Sequence, residues 1–196
     1  MQNAAGKKQI RPGVLALQGG FVEHKQILQK LGYDCLEVRT LEDLAQVTHL
    51  IIPGGESTVM SKFLWEFGLA EAIIERVKNA DLAIMGTCAG AIVLASEVVG
   101  DQKVRSLNLL ECQIQRNAYG RQLDSFVTEQ IEFQGQKVAG MLIRAPRFLS
   151  YGLDVQVLAS LESEPMVLRS GRVLVLPFHP ELVSETAVHR YFLEEV

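Results

Sequence analysis

The feature that most constrains the fold is a cysteine bracketed by glycines, in the segment Gly86-Thr87-Cys88-Ala89-Gly90 between two apolar runs. A side chain carried on a tight strand-to-helix turn needs small residues two positions before it and two positions after it. Gly86 and Gly90 meet that need. The segment therefore predicts a buried strand, a sharp turn and a helix, with Cys88 presented at the turn as a nucleophile. A buried structural cysteine after a core strand is the alternative interpretation.

A second motif, Pro177-Phe178-His179-Pro180-Glu181, lies far downstream. Pro180 favours an extended backbone at His179, and residues two apart in an extended segment project to the same side. A carboxylate on one imidazole nitrogen fixes the tautomer and stabilises the charged ring. Cys88, His179 and Glu181 would then form a catalytic triad. The alternative is an ordinary His-Pro turn beside a solvated carboxylate.

Length and composition indicate a globular protein. The 196 residues suit a single domain over 1–196, and 48% hydrophobic with 21% charged residues is usual for such a domain. The net charge of −4 gives no basic surface for nucleic acid. The apolar runs are too short to span a membrane, and the first residues lack the apolar core of a signal peptide. We therefore expect no nucleic-acid or membrane partner and a cytoplasmic location.

Neither a disulfide framework nor a metal site is indicated. No close pairing of the CxxC type joins the three cysteines, which are Cys35, Cys88 and Cys112. No His/Asp/Glu spacing suggests a metal. His24 and His189 fall within predicted helices and His49 precedes a predicted strand, so we expect each to be a surface residue or a partner contact.

Strands and helices alternate in the first half of the chain. Apolar runs predict strands at 13–18, 35–38, 49–52 and 83–85, and helical periodicity predicts helices at 21–31, 41–47 and 58–77. This order predicts an α/β fold with three layers, in which helices flank a mostly parallel sheet. Its functional site should lie at the carboxyl ends of the strands, where the Cys88 turn falls.

The second half has a different pattern. Apolar runs at 126–133, 137–143, 155–161, 166–169 and 173–176 follow one another closely, separated by turns such as Gln134-Gly135-Gln136. They predict antiparallel hairpins that extend or flank the parallel sheet. A final helix is predicted at 185–195.

Three further segments have the composition of a binding pocket. Pro53-Gly54-Gly55-Glu56-Ser57-Thr58 offers backbone amides at the start of a helix, although a plain strand-to-helix turn is about as probable from the local sequence. The segment 115–122 crowds hydrogen-bonding groups around Arg116, which could clamp a carboxylate, with a solvated loop as the alternative. Arg144, within Ile143-Arg144-Ala145-Pro146, faces either a ligand or water.

Together these motifs resemble a known family. The cysteine and histidine segments are similar to those of the triad-type (class I) glutamine amidotransferases, whose fold is flavodoxin-like. The pocket segments, with Gly13-Val14-Leu15-Ala16-Leu17-Gln18-Gly19, narrow the resemblance to glutaminase subunits of pyridoxal 5′-phosphate synthase. The resemblance begins near Gly13 and runs to the C-terminus, which leaves 1–12 as an N-terminal extension that we expect to be flexible.

The resemblance implies a role for each matching residue. Cys88 would be the nucleophile, His179 the general base and acid, and Glu181 its orienting carboxylate. The amides of Gly55 and Ala89 would form the oxyanion hole. The glutamine pocket would be lined by Gly55, Glu56, Ser57, Arg116, Ile143 and Arg144. No cofactor is implied.

The resemblance also implies a substrate and a partner. The substrate would be L-glutamine, and the ammonia would pass to a barrel-shaped synthase subunit that builds pyridoxal 5′-phosphate. The Pro53-Gly54-Gly55 turn suggests that this partner switches the glutaminase on by rotating a peptide of the oxyanion hole. Three other functions remain open from the residues alone: a non-catalytic binding module, a redox sensor that uses Cys88, and a cysteine peptidase.

Overall fold

The fold is built on a large mixed β-sheet, seen in a computed structural model that describes residues 9–100, 103–116, 118 and 125–196. Within these residues nine strands form one sheet in the order β2-β1-β3-β4-β12-β11-β10-β7-β8. Strands β2, β1, β3, β4 and β12 run parallel, whereas β11, β10, β7 and β8 continue the sheet in antiparallel pairs. A second sheet has the order β5-β6-β9.

The strands have the following bounds: β1 Pro12–Leu15, β2 Leu36–Val38, β3 His49–Ile52, β4 Ala83–Thr87, β5 Ala95–Val99, β6 Leu110–Gln115, β7 Ser125–Phe133, β8 Gln136–Ile143, β9 Arg147–Tyr151, β10 Gln156–Leu161, β11 Glu164–Ser170 and β12 Val173–Leu176. The helices are α1 Phe21–Lys30, α2 Leu41–Gln46, α3 Ser57–Glu66, α4 Leu69–Lys78, α5 Ala89–Leu94 and α6 Ala187–Glu195, with a 3₁₀ turn at Glu181–Val183.

Helices cover both faces of the parallel strands. On one face, Leu28 of α1 and Phe192 of α6 belong to a buried apolar cluster with Met85 of β4. On the other face, Met60 of α3 and Ile73 of α4 belong to a second cluster, which also includes buried residues of the small sheet. Burial on both faces accounts for the continuous apolar runs of β1, β3, β4 and β12, because such strands have no solvent side. The predicted α/β class is thus confirmed.

Several predicted boundaries differ from the structure. The predicted helix at 58–77 is two helices, because Gly68 has a left-handed backbone with φ of 72° that ends α3 and starts α4. The first strand ends at Leu15 rather than at position 18. It begins at Pro12, and the preceding Arg11 hydrogen-bonds to Thr48, so the predicted extension 1–12 includes residues that belong to the fold. Residues 1–8 lie outside the described residues.

The small sheet was not predicted. Its strands β5, β6 and β9 are only five or six residues long, only β6 alternates buried with more exposed residues, and β5 follows α5 without a turn signal. The parallel part of the main sheet positions the candidate site. Strands β1, β3, β4 and β12 end at the same edge, and each leads into one of the segments singled out from the sequence.

Candidate active site

Cys88 lies at the sharp turn between β4 and α5. Its backbone has φ of 48° and ψ of −101°, which is rare for a residue with a side chain, and its N–H donates to the carbonyl of Leu176 at the end of β12. Strained backbone of this kind persists only where the surrounding structure enforces it. Cys88 is the residue immediately before α5, at the strand-to-helix turn that the sequence predicted.

The two bracketing glycines are required by close packing. A Cβ on Gly86 would lie 2.5 Å from the carbonyl carbon of Gly90, and a Cβ on Gly90 would lie 2.1 Å from the carbonyl oxygen of Ile52 in β3. Neither position has room for any side chain. The turn therefore requires small residues for steric reasons. Gly86 packs against Gly90 within the turn, and Gly90 packs against Ile52 of β3.

His179 is held in place by strand β8. Its N–H donates to the carbonyl of Met141 at 2.8 Å, and its own carbonyl accepts from the Met141 N–H at 3.1 Å. The segment is not extended as far as Glu181, because Pro180 has helical backbone angles and Glu181 begins the 3₁₀ turn. The side chains of His179 and Glu181 lie close together, as expected, because the backbone turns between them. The prediction that this segment is extended is wrong.

The side chains of Cys88, His179 and Glu181 form a connected chain. Glu181 Oε1 lies 2.7 Å from His179 Nδ1, and the Cys88 side chain lies close enough to the His179 ring to act on its charge. Burial alone would lower the pKa of His179, but the neighbouring Cys88 and Glu181 side chains outweigh it and raise the pKa to about 10. The ring is therefore suited to stay protonated beside the sulfur.

A second group of side chains lies behind Glu181. His24 Nε2, from α1, is 3.3 Å from Glu181 Oε1 and 3.1 Å from the hydroxyl of Thr87. His24 Nδ1 is 2.8 Å from Nε2 of His189 in α6. Burial would raise the pKa of Glu181, but the facing His24 and the bonded His179 lower it to about 2. Glu181 is thus a buried carboxylate that contacts two histidines.

The expectation that His24, His49 and His189 are surface or partner contacts is wrong. His24 and His189 are 0% exposed, and His49 is buried against Phe192 with its Nδ1 3.0 Å from the hydroxyl of Thr48. The signal was present in the sequence. His24 shares a helical face with Phe21 and Leu28, so it occupies a position in the apolar stripe of α1.

The segment 53–58 packs directly against the histidine. A Cβ on Gly54 would lie 2.2 Å from Cε1 of His179, so the Gly54 backbone covers the ring. The loop is fastened by Gln18, whose Oε1 accepts from the Glu56 N–H at 3.1 Å and whose Nε2 donates to the Glu56 carbonyl at 3.2 Å. Gln18 lies in the segment 13–19 that carries part of the family resemblance, but no role was predicted for its side chain.

Glu56 and Arg116, both expected in the glutamine pocket, pair with each other. Arg116 Nη2 lies 3.1 Å from Glu56 Oε1, and Glu56 also accepts from the amides of Thr58 and Val59 at the start of α3. Partial burial would raise the pKa of Glu56, but those two amides and the guanidinium hold it below its usual value. The pair forms a charged rim that is more exposed than His179 and Glu181.

The remaining predicted pocket residues occupy the same region of the fold. Ser57 is buried, and within the described part of the chain no group hydrogen-bonds to its hydroxyl. Ile143 ends β8, two residues after the Met141 that bridges to His179, and Arg144 follows in an exposed position with φ of 41°. Ala89 is the buried first residue of α5. Residues 117 and 119–122 of the Arg116 segment lie outside the described residues.

Two other features bear on chemistry. In the residues that the structure describes, no group of three or more His, Cys, Asp or Glu side chains is arranged to hold a metal ion, and no helix has the length and apolar character needed to cross a membrane. Burial raises the pKa of Cys35 to about 11 and that of Cys112 to about 12. These two free thiols therefore remain protonated near neutral pH.

Comparisons with known proteins agree with the fold. The model of the SNO glutamine amidotransferase family matches residues 14–196. The chain is 49% identical over 183 residues to pyridoxal 5′-phosphate synthase subunit PdxT of Thermus thermophilus, covering 93% of this chain and 95% of that protein. It is 46% identical over 186 residues to the subunit of the same name from Fervidobacterium nodosum, covering 94% and 96%.

Solved structures give the same result. A crystal structure of a glutamine amidotransferase superposes with a TM-score of 0.90 at 48% identity, covering 93% of this chain and 96% of that one. The structure of PurLQS from Thermotoga maritima superposes with a TM-score of 0.65 at 17% identity, covering 89% of each chain, and this likeness concerns the fold alone.

Proposed function

Since this chain belongs to the SNO glutamine amidotransferase family, we propose that it hydrolyses L-glutamine and supplies the ammonia to a synthase subunit that makes pyridoxal 5′-phosphate. The observation that carries the proposal is the His179 ring, which hydrogen-bonds to the Glu181 carboxylate through Nδ1 and lies beside the Cys88 side chain. The matches to PdxT subunits over most of the chain support this partner.

The first half of the reaction forms a thioester. The Cys88 thiolate attacks the side-chain carbonyl carbon of glutamine, and the C=O electron pair moves onto oxygen. The amides of Gly55 and Ala89 are the proposed donors to that oxyanion, because both follow strand ends beside Cys88. Protonated His179 then gives its proton to the departing nitrogen, and ammonia leaves as the carbonyl re-forms.

The second half releases glutamate. Neutral His179 takes a proton from a water molecule, the resulting hydroxide attacks the thioester carbon, and the thiolate departs. Glu181 holds the imidazole with Nδ1 directed to its carboxylate, which leaves Nε2 free for the sulfur and the water. Arg116, Glu56, Ser57, Ile143 and Arg144 are the proposed contacts of the glutamine molecule.

The partner supplies a reason for regulation. A glutaminase without an acceptor for its ammonia wastes substrate, so we propose that the isolated chain is weakly active and that a barrel-shaped synthase subunit raises its activity. The segment 53–55 is the proposed element of control, because it lies against His179 and carries one oxyanion donor. We also propose that both subunits are cytoplasmic and that residues 1–196 of this chain form one domain.

The test is glutamate formation from glutamine by the purified chain, with and without the synthase subunit of the same organism. Cys88→Ala is expected to abolish the reaction in both conditions. A wild-type chain that releases no glutamate with its partner present would overturn the proposal. Equal rates with and without the partner would overturn the proposed regulation alone, and release of amines from peptides would identify a peptidase instead.

A further inference from the structure

Four polar side chains are buried together behind the candidate triad, and the proposed mechanism uses only one of them. His24, His189 and Thr87 are 0% exposed, and Glu181 is 5% exposed. They come from α1, α6, the end of β4 and the 3₁₀ turn, which are four separate parts of the chain. Placing four polar groups in an apolar interior is costly unless they satisfy one another, so their arrangement calls for a functional explanation.

The distances select one tautomer for each histidine. If His24 carried its proton on Nδ1, the lone pair of Nε2 would face the Glu181 carboxylate at 3.3 Å, and His189 would carry a proton on Nδ1. Within the described residues, Nδ1 of His189 has no hydrogen-bond partner. That arrangement would combine a repulsion with a buried unpaired donor, which is unfavourable.

The opposite arrangement satisfies both rings. His189 Nε2–H donates to His24 Nδ1, and His24 Nε2–H then donates to the Thr87 hydroxyl at 3.1 Å, with the proton also facing Glu181 Oε1 at 3.3 Å. In this arrangement two acceptor atoms of the group stay buried without a hydrogen-bond partner among the residues that the structure describes, Nδ1 of His189 and Oε2 of Glu181, and no buried N–H of the two rings is left unpaired. A lone pair facing apolar atoms costs less than a buried N–H does.

We infer that His24 is a positioning residue for glutamine hydrolysis, and that its Nε2–H, oriented by His189, holds Glu181 in register with the nucleophile turn. The inference rests on the proposed function. Thr87 immediately precedes Cys88, so one ring contacts both the carboxylate that orients His179 and the strand end that carries the sulfur. His24 thereby joins the two motifs that lie far apart in the sequence.

His24 acts in its neutral form. The charged groups that face it are Glu181 and, more weakly, Glu23, which favour protonation, and His179, which opposes it. Burial is the largest influence and lowers the pKa of His24, and burial likewise lowers that of His189 to about 3. The neutral His24 ring can present an N–H to Glu181 without adding charge, which leaves the carboxylate's charge to stabilise the imidazolium of His179.

The first experiment reads the tautomers directly and needs no activity. Nitrogen-15 NMR of the imidazole rings in the full chain, between about pH 5.5 and 8, is expected to show His24 and His189 neutral and protonated on Nε2 throughout. Protonation of His24 on Nδ1, or a His24 that becomes charged in this range, would overturn the inference. His24→Gln and His189→Gln spectra assign the two rings.

The second experiment measures kinetics with the synthase subunit present. His24→Leu removes the donor, whereas His24→Gln keeps an N–H near the position of Nε2. We expect His24→Leu to lower kcat about tenfold with KM for glutamine within about twofold, and to move the acid limb of kcat up by about one pH unit, because Glu181 protonates more easily without the N–H that faces it. His24→Gln is expected to retain most of kcat and the wild-type limb.

The control is His49→Gln, which alters another buried histidine. His49 is the first residue of β3, whereas the candidate site lies beyond the last, so kcat and KM should not change. A His24→Leu enzyme with wild-type kcat and pH profile, or a His24→Gln enzyme as impaired as His24→Leu, would contradict the positioning role. If the wild type itself hydrolyses no glutamine, the proposed function fails, while the NMR result still decides the hydrogen-bond arrangement. If His24→Leu does not fold, His24→Gln and the NMR data carry the test.

Discussion

The candidate site has a buried side and an exposed side, and they are built differently. On the buried side, hydrogen bonds join His179 to Glu181 and His24 to His189, and His24 lies 3.3 Å from Glu181, so these groups interact at low dielectric. On the exposed side, Arg116 pairs with a half-exposed Glu56 at the entrance. The difference favours our proposal that the buried side carries out the reaction, whereas the exposed rim binds the substrate.

The largest effect should come from breaking the buried side at its carboxylate. In Glu181→Gln, the amide cannot stabilise the imidazolium of His179, so we expect kcat to fall by about 10³-fold or more while KM changes little. Glutamate formation with the synthase subunit present measures both constants. Glu164→Gln, which alters a partly buried carboxylate paired with Arg147, is the matched control. A drop below tenfold would show that Glu181 does not orient the base.

The next effect comes from displacing the His179 ring without changing its chemistry. In Gly54→Ala the new Cβ would lie 2.2 Å from Cε1 of His179, so the ring or the loop must shift. A displacement of about 1 Å at reacting groups costs about 100-fold in rate, and we expect a loss of that size in kcat.

The neighbouring Gly20→Ala is the control for this substitution. Its Cβ would meet only the flexible carboxylate of Glu23 at 3.4 Å, and its backbone φ of −80° suits any residue. Wild-type kinetics are expected for Gly20→Ala. If Gly54→Ala is equally active, the contact between the loop and the ring does not constrain the chemistry.

Breaking the exposed side should change binding more than chemistry. In Arg116→Ala, we expect KM for glutamine to rise about tenfold, because a charged hydrogen bond to substrate is lost, with kcat within about threefold of wild type. Arg116→Lys should recover little, since a lysine cannot donate in the same forked geometry. The control is Arg39→Ala, which removes an exposed partner of Glu37. A fall in kcat at constant KM would show that Arg116 contributes to the chemical step rather than to substrate binding.

The smallest effect concerns stability in acid. In the folded chain the pKa of His189 is lowered to about 3, against an ordinary value near 6.5 in the unfolded chain. Between these values only the unfolded state binds the proton, so stability contributed by the neutral ring is present above about pH 6.5 and is lost as the pH falls. His189→Gln should remove about 1.4 kcal/mol per pH unit from this slope.

Urea unfolding at several pH values between 4 and 7.5 measures the slope. Arg116→Ala, on the exposed side, should leave it unchanged. An unaltered slope in His189→Gln would mean that the ring is not held neutral in the folded protein.

The sequence predicted the parts of the site whose reasons are local. Gly86 and Gly90 bracket Cys88 because the turn has no space for side chains, and this is visible in a short segment. The burial of His24 and His189 depends on α1 and α6 meeting on the same face of the sheet, which a local pattern does not specify. The small sheet was missed for a similar reason, since its short strands acquire their pairing only from tertiary contacts.

The central claim is that the Cys88 sulfur reacts with a bound glutamine because His179 activates it. Mass spectrometry after treatment with a glutamine-like diazoketone tests this most directly, with the synthase subunit present. The account predicts a single adduct on Cys88, none on Cys35 or Cys112, protection by glutamine, and a strong slowing in His179→Ala. Labelling of His179→Ala at the wild-type rate, or an adduct on another cysteine, would contradict it.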